Sequence, residues 1–150
     1  MSPVFTQRQG ARAKYQEQQG QRVKDAPTLA EEFPRLKSLT VNVQYFDSDA
    51  PGNSHPLKFE VNVRNAKSVL RFHCPNSECV RGDFDLTDEL ARAVKRRRNA
   101  LTGEMPCRGW LNKNTVGSVR CRNVLHYALR LGYLRRHNSA KRLWGHGGRQ

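Results

Sequence analysis

The chain has 150 residues, which suits one domain of ordinary size with short tails and leaves little room for two domains. Hydrophobic residues make up 37% of the chain, the mean hydropathy is -0.80, and no run approaches the roughly 18 apolar residues of a membrane span, so we expect no membrane partner. The formal net charge of +14 falls entirely within residues 92–150, where Glu104 is the only acidic side chain, and such a field favours polyanions as partners and opposes self-association.

Both ends of the chain have the composition of mobile segments. Residues 1–28 contain six Gln and five Lys or Arg with few apolar side chains, and they are predicted to form a flexible Gln/Arg-rich arm. Residues 135–150 are predicted to form a basic, Gly-rich tail, so the folded domain is predicted over residues 29–134. The first residues lack the apolar segment of a secretory signal, so we expect a cytoplasmic protein with reduced cysteines.

Alternation of apolar and polar side chains predicts β-strands in the first half of the domain. Residues 39–45 and 57–63 alternate strictly, and the turn-rich residues 47–54 between them predict a flexible hairpin connection. A third strand is predicted over residues 68–74. Each pattern has the period of two that a half-buried strand requires.

The second half of the domain begins with a helix signal. Thr87 is the predicted N-cap, two acidic residues follow it in the first turn, and the basic residues 95–98 close the last turn. A fourth strand is predicted over residues 101–107. The odd positions of residues 119–133 are mostly apolar, which favours a fifth strand over the alternative of a helix at 123–132. The predicted fold is therefore α+β, a mostly antiparallel sheet of about five strands with one helix on a face.

The chain contains four cysteines, in predicted loops or at predicted strand ends. Without a secretory signal, two pairs of cysteines favour a structural Zn²⁺ site, and the alternatives are two disulfides or four buried hydrophobic side chains. A full set of thiolates leaves no open position for a substrate water, so the zinc is expected to be structural rather than catalytic. His73 would point away from a neighbouring ligand on the same strand and is not expected to bind. The predicted ligands are Cys74, Cys79, Cys107 and Cys121.

The predicted topology brings these cysteines to one edge of the sheet. If the third strand, the helix and the fourth strand form a right-handed crossover, the third and fourth strands run parallel and the last strand runs antiparallel to them. Cys74 and Cys107 then end upward strands, and Cys121 begins a downward strand. Cys79 lies in the loop just above, so all four sulfurs meet.

The pattern over residues 72–123 is similar in a general way to zinc-ribbon sites. Paired cysteines, a Pro after the first of them and a hairpin that supplies the second pair carry the resemblance. The pattern differs from a ribbon in the four residues between the first two cysteines and in the intervening helix. The resemblance implies a zinc-ribbon-like edge on the predicted sheet, which the basic tails flank.

The basic residues of the last third of the chain are the predicted nucleic-acid contacts. Cationic side chains neutralise phosphates, and an aromatic ring in a basic, Gly-rich tail can stack on an unpaired base. Two alternatives stay open: the basic run after the helix is only a solvated helix end, and the tail aromatic docks on the domain. The predicted contacts are Lys95, Arg96, Arg97, Arg98, Arg120, Arg122, Arg130, Arg135, Arg136, Lys141, Arg142 and Trp144.

The sequence lacks a phosphate-binding glycine loop, a His-Glu metalloprotease motif and a nucleophile elbow, so we predict no enzyme activity. The predicted function is non-enzymatic binding of structured RNA by a zinc-binding protein, with a layout analogous to that of ribosomal or ribosome-associated proteins. One alternative is a DNA-binding zinc-ribbon-like factor of transcription or of a mobile element. Another is a small metal-dependent nuclease that would use the acidic cluster Asp83, Asp85, Asp88 and Glu89. Negative charge is also favourable at a helix N-terminus, which explains the same cluster without a nuclease.

Overall fold

The computed structural model describes residues 3–46, 56–76, 79–111 and 119–135, and of residues 3–9 and Val119 only the backbone. No helix in these residues is both long and apolar enough to cross a lipid bilayer. The predicted hairpin loop at 47–54 and the tail beyond Arg135 lie outside the described residues. The elements are α1 (Pro3–Asp25), α2 (Leu29–Glu32), β1 (Leu36–Phe46), β2 (Pro56–Val61), β3 (Arg71–His73), β4 (Cys79–Val80), β5 (Asp83–Asp85), α3 (Thr87–Lys95), β6 (Ala100–Pro106), β7 (Trp110–Leu111), β8 (Val119–Arg120) and β9 (Val124–Tyr133).

Four strands form the main sheet, which is antiparallel throughout and has the order β2-β1-β9-β6. From Leu39 onward the register pairs odd-numbered residues with odd-numbered residues, as in Val41 with Leu129 and Leu129 with Leu101. Alternate side chains of a strand share one face, so the odd-numbered residues form one apolar face and the other face is polar. The alternation in the sequence therefore identified these four strands, and Val124–Tyr133 is a strand rather than the alternative helix.

Helix α3 contributes to the core that the apolar face of the sheet forms. Leu90 and Ala93 of α3 are buried in the same hydrophobic cluster as Leu125 and Leu129 of β9. The Tyr133 hydroxyl also lies 3.4 Å from the Ala93 carbonyl oxygen, which places the end of β9 against the helix. The described part of the chain is thus an α+β fold built on a small antiparallel sheet.

The first turn of α3 is capped differently from the prediction. Leu86, not Thr87, occupies the N-cap position, and its side chain makes no capping hydrogen bond. The Asp85 carboxylate accepts a hydrogen bond from the Thr87 backbone N–H (3.0 Å), and the Thr87 hydroxyl accepts one from the Leu70 N–H (3.0 Å). Asp and Thr are both good capping residues, so the sequence alone did not separate the two roles.

The predicted parallel arrangement of the third and fourth strands is wrong. β3 pairs antiparallel with β5 in a separate two-stranded sheet, where Phe72 lies opposite Phe84. The chain reverses directly after Cys74, whose N–H donates to the Gly82 carbonyl (3.2 Å), so β5 occupies the position beside β3. β6 joins the main sheet next to β9 instead. Since β4, β7 and β8 form another small sheet, the predicted single sheet of about five strands is divided into three sheets.

Helix α1 lies where the sequence predicts a flexible arm. Gln, Ala, Arg and Lys all have good helix propensity, so a segment too polar to build a core can still be helical. α1 contacts the domain through polar groups: Arg22 pairs with Asp85 (2.6 Å), and Gln16 Oε1 accepts a hydrogen bond from Arg71 (3.1 Å). The mobility of residues 1–28 in the free protein stays a prediction.

Candidate metal centre and candidate nucleic-acid interface

The structure brings the four cysteines into one buried cluster. Their Sγ atoms all lie within 4.8 Å of one another, with 3.7 Å between Cys74 and Cys121 and 3.6 Å between Cys79 and Cys107. A tetrahedron of thiolates at about 2.3 Å from a central ion has sulfur–sulfur edges of about 3.8 Å, so the cluster could hold a metal ion. All four thiols are free, which leaves the disulfide alternative without support. His73 is exposed and lies outside the cluster.

Main-chain hydrogen bonds hold the loops that carry the cysteines. The Cys79 N–H donates to the Asn76 carbonyl (3.1 Å) and closes the first loop on itself. The Cys107 N–H donates to the Asn123 carbonyl (2.9 Å), and the Cys121 N–H donates to the Gly109 carbonyl (3.0 Å). Each of the last two cysteines is therefore fixed by the loop that carries the other, and the predicted meeting of all four cysteines is confirmed.

Two buried glycines allow the loops to approach each other. A Cβ at Gly82 would collide with Cys79 Sγ and would lie 2.9 Å from Cys107 Sγ and Cys74 Cβ. A Cβ at Gly109 would also collide with Cys79 Sγ and would lie 2.7 Å from the Gly82 Cα. No other residue fits at either position without a shift of the sulfurs or the backbone. Sequence reasoning missed these glycines, although each closely follows a cysteine.

Hydrogen bonds to sulfur and the crowding of four thiols shift the cysteine pKa values. The Gly109 N–H donates to Cys107 Sγ (3.4 Å), and the buried Asn123 side chain donates to Cys74 Sγ (3.4 Å). Hydrogen bonds from the Cys107 and Cys79 thiols lower the pKa of Cys74, whereas hydrogen bonds with Cys107 and Cys74 raise the pKa of Cys79. Metals bind cysteines as thiolates, so a bound cation would replace the thiol protons.

Eight of the twelve predicted nucleic-acid contacts lie in the described residues, and all eight side chains are exposed. They form two groups at opposite ends of the main sheet. Arg120 and Arg122 lie beside the cysteines, and the other group, which we call the basic end, consists of Lys95, Arg96, Arg97, Arg98, Arg130 and Arg135. The remaining four predicted contacts lie outside the described residues: Arg136, Lys141, Arg142 and Trp144.

The predicted fifth strand is not continuous over residues 119–133. The strand is interrupted at Cys121–Asn123, so Arg120 belongs to β8 and lies opposite Trp110 of β7, whereas Arg130 belongs to β9. The interruption follows from the cysteine cluster, because Cys121 must leave the strand to reach the other sulfurs. Trp110 is 36% exposed, so its side chain is only partly packed beside this cluster.

The basic end is held together by contacts between the turn after α3 and the end of β9. The Tyr133 hydroxyl donates to the Arg98 carbonyl (2.7 Å), and the Arg97 guanidinium lies over the Tyr133 ring, 5.0 Å from its centroid. In the register of β6 and β9, Ala100 lies opposite Arg130. Among the described residues, no carboxylate pairs with any cation of the basic end.

The acidic cluster of the nuclease alternative lines a cavity of about 360 Å³ between α1, the cysteine loops and the start of α3. Asp83 pairs with Arg71 (2.9 Å), and Asp85 pairs with Arg22 of α1 (2.6 Å). Glu89 pairs with an arginine one turn along α3 (3.2 Å). Because three of the four carboxylates already have arginine partners, the geometry gives a Mg²⁺-dependent nuclease no support.

Comparison of the chain with protein-family models, with curated proteins and with solved structures found no match. The function must therefore be inferred from the cysteine cluster and the charged surface themselves.

Proposed function

We propose that this protein is a non-enzymatic RNA-binding protein whose fold is held together by a structural Zn²⁺. The observation that carries the proposal is the basic end, where six exposed cations lie at one end of the main sheet without a carboxylate partner among the described residues. Solvated cations on a protein surface normally alternate with acidic groups, and an uncompensated cluster is the electrostatic footprint of a polyanion site. A monomer in the cytoplasm, bound in a ribonucleoprotein such as the ribosome, is the setting that we propose.

The proposed metal ligands are the four clustered cysteines, and the ion is Zn²⁺ because a tetrahedral set of thiolates is its usual structural site. The ion would cross-link the loop after β3 to the loops that flank β6 and β9. A closed set of four thiolates leaves no position for a substrate, which supports a structural role. We retain the zinc-ribbon-like edge and the flanking basic tails as parts of this proposal.

The position of the basic end supports binding rather than helix stabilisation alone. Cations at the C-terminal end of α3 interact favourably with the helix dipole, which would explain the positive charges of Lys95 and Arg96. Arg130 and Arg135 lie on β9 and beyond it, so the dipole does not explain them. The basic end lies about 20 Å along β9 from the cysteines, at 3.3 Å per residue, so RNA can bind there without contacting the metal.

The shape of the domain favours RNA over duplex DNA. A helix that enters the major groove must present an exposed face along its length. α3 buries Leu90 and Ala93 and carries Asp88 and Glu89 in its first turn, so its exposed surface is short and partly acidic. We therefore propose phosphate contacts from the basic end to a folded RNA.

Fluorescence anisotropy with a folded RNA, a single-stranded RNA and a duplex DNA at several salt concentrations tests this function. Replacing Arg96, Arg97 and Arg98 with Ala is expected to flatten the dependence of log affinity on log salt by about 0.7–0.9 for each phosphate that the variant no longer neutralises. A control with three exposed cations removed elsewhere, Lys24→Ala, Lys58→Ala and Arg64→Ala, is expected to keep the wild-type slope.

Two results would contradict the proposal. A wild-type protein without measurable RNA affinity at about 50 mM salt would exclude the RNA function, because electrostatic binding is strong under those conditions. A preference for duplex DNA over folded RNA would favour the DNA-binding alternative instead.

A further inference from the structure

Two arginines of the cysteine loops border the same cavity. Arg81 follows Cys79 by two residues, Arg108 follows Cys107 directly, and each arginine precedes one of the two buried glycines. These glycines touch, because a Cβ on Gly109 would lie only 2.7 Å from the Gly82 Cα. Each arginine is therefore next in the chain to a glycine of this contact. Both side chains are exposed, and both line the cavity of about 360 Å³.

Neither arginine has a counter-ion in the part of the chain that the structure describes. Arg81 and Arg108 form no ion pair or side-chain hydrogen bond within the described residues. Four described carboxylates line this cavity, and three of them form ion pairs with other arginines. Asp88 alone among these four forms no ion pair with an arginine. Two like charges that border one cavity repel each other, and an anion bound in that cavity offsets the repulsion.

The backbone at Arg81 indicates that its side chain serves something other than the fold. Its φ of 59° lies in the left-handed region, where a Cβ is disfavoured and glycine is the best residue for backbone stability. An arginine at this position weakens the loop next to a metal ligand. That cost is understandable if the guanidinium is needed at the cavity.

Helix α1 adds a third cation to the same region. Lys14 and Arg81 both line a second cavity of about 150 Å³, and Tyr15 borders both cavities. Lys14 is exposed and has no carboxylate partner within the described residues. The positive groups therefore surround Arg81 from α1 on one side and from the second cysteine loop on the other.

We propose that Arg81 and Arg108 form a phosphate-binding site on the candidate metal centre. Guanidinium groups match the oxygens of a phosphate with paired N–H donors, which a single lysine cannot do. The phosphate belongs to the backbone of the RNA, a choice that rests on the proposed function; a small phosphate compound is the other source of the same chemistry. The site gives the RNA a second contact about 20 Å from the basic end. It also makes that contact depend on the metal, which fixes both loops.

The test is an NMR titration of the Arg81 and Arg108 side-chain Nε–Hε signals in the full-length, zinc-loaded protein. One series uses inorganic phosphate against matched chloride, and another uses the folded RNA. The variants are Arg81→Gly, which suits the left-handed backbone and keeps the loop folded, and Arg108→Gln. Arg64→Gln, in the exposed turn after β2, is the matched control.

We expect phosphate to shift both wild-type signals, and each variant to bind phosphate about tenfold more weakly, the usual effect of removing a charge-assisted hydrogen bond. Each variant should also lower the salt slope for RNA by about 0.7–0.9. The control should change neither result. Unshifted arginine signals in the wild type, or an equal loss of affinity in the control, would overturn the proposal.

The two sources of phosphate, and the two proposals, give different outcomes. If phosphate shifts both signals while the variants bind RNA with the wild-type affinity and salt slope, the site exists but a small phosphate compound fills it, and the RNA contact is refuted. If the wild type binds phosphate at these arginines but binds no RNA, the proposed function fails and the phosphate site stands.

Discussion

Replacing Gly82 with Ala tests whether the proposed metal site depends on the close packing of the cysteine loops. The new methyl group would collide with Cys79 Sγ and would lie 2.9 Å from Cys107 Sγ and Cys74 Cβ. Ordinary contacts of a Cβ begin near 3.4 Å, so these two atoms must each move by about 0.5 Å and the third by more. A metal site tolerates deviations of about 0.2 Å in its ligand distances.

The expected effect has two parts. Overpacking of a dense interior costs about 1–3 kcal/mol of the free energy of unfolding. Displacement of the ligands should lower the zinc affinity by about 10–100-fold, as loss of outer-shell support does in other metal sites. Because zinc binding is coupled to folding, the two losses add in the zinc-loaded protein, and the zinc-free protein shows only the first.

Competition with a chromophoric chelator gives the zinc affinity, and thermal unfolding with and without zinc gives the stability. Gly103→Ala is the matched control, since its Cβ meets only the end of the flexible Tyr127 side chain, at 2.5 Å from the hydroxyl oxygen. This variant should bind zinc like the wild type and lose less stability. A Gly82→Ala protein with wild-type zinc affinity would refute the reasoning.

Three simpler measurements test the docking of helix α1 and the proposed structural zinc. Burial and the Asp83 carboxylate raise the pKa of Tyr15 from 10.0 to about 12, so the Tyr15 hydroxyl stabilises the docked helix fully below pH 10 and loses that contribution as the pH rises from 10 to about 12. An ultraviolet titration of the wild type, compared with Tyr15→Phe, should show this late ionisation, and ionisation at the usual pKa would contradict docking. Gly10 and Gly20 of α1 face open space, so Ala at either position should raise the free energy of unfolding in denaturant by about 0.5–1 kcal/mol, whereas no change would support the flexible arm. Removing metal from the reduced protein with a chelator should lower the melting temperature by at least ~10 °C, and added Zn²⁺ should restore it; an unchanged melting curve would exclude a structural ion.

The main sheet could be predicted from the sequence because one of its faces is buried. A sheet with one buried face imposes a period of two, and β1, β2, β6 and β9 are long enough for that period to be visible. The break at Cys121–Asn123, between β8 and β9, did not disturb the alternation of the residues that follow. The distinction between strand and helix in this region was therefore correct.

The small sheets could not be predicted in the same way. β4, β7 and β8 have two residues each, and β3 and β5 have three, so no periodicity can be read in them. Their pairing is determined by the loops that converge on the cysteines, which is a tertiary effect.

The polar contacts of α1 were missed for another reason. The composition of a segment shows how much surface it can bury in a core, but not whether a few side chains such as Arg12 reach main-chain oxygens. Arg12 donates to the carbonyls of Cys79 (2.6 Å) and Asn76 (3.1 Å).

The meeting of the four cysteines was predicted correctly from a partly wrong topology, and the reason also explains what was missed. Antiparallel pairing of β6 with β9 places Pro106 opposite Val124, so Cys107 and Cys121 meet at that end wherever β3 lies. Chain reversal after Cys74 is likewise enough to bring in the first pair, and the parallel crossover was not needed. The same convergence brings together the residues next to the cysteines, including two isolated arginines far apart in the sequence. A search for dense basic runs finds the basic end and passes over these two arginines, because only the folded cysteine loops bring them to one cavity.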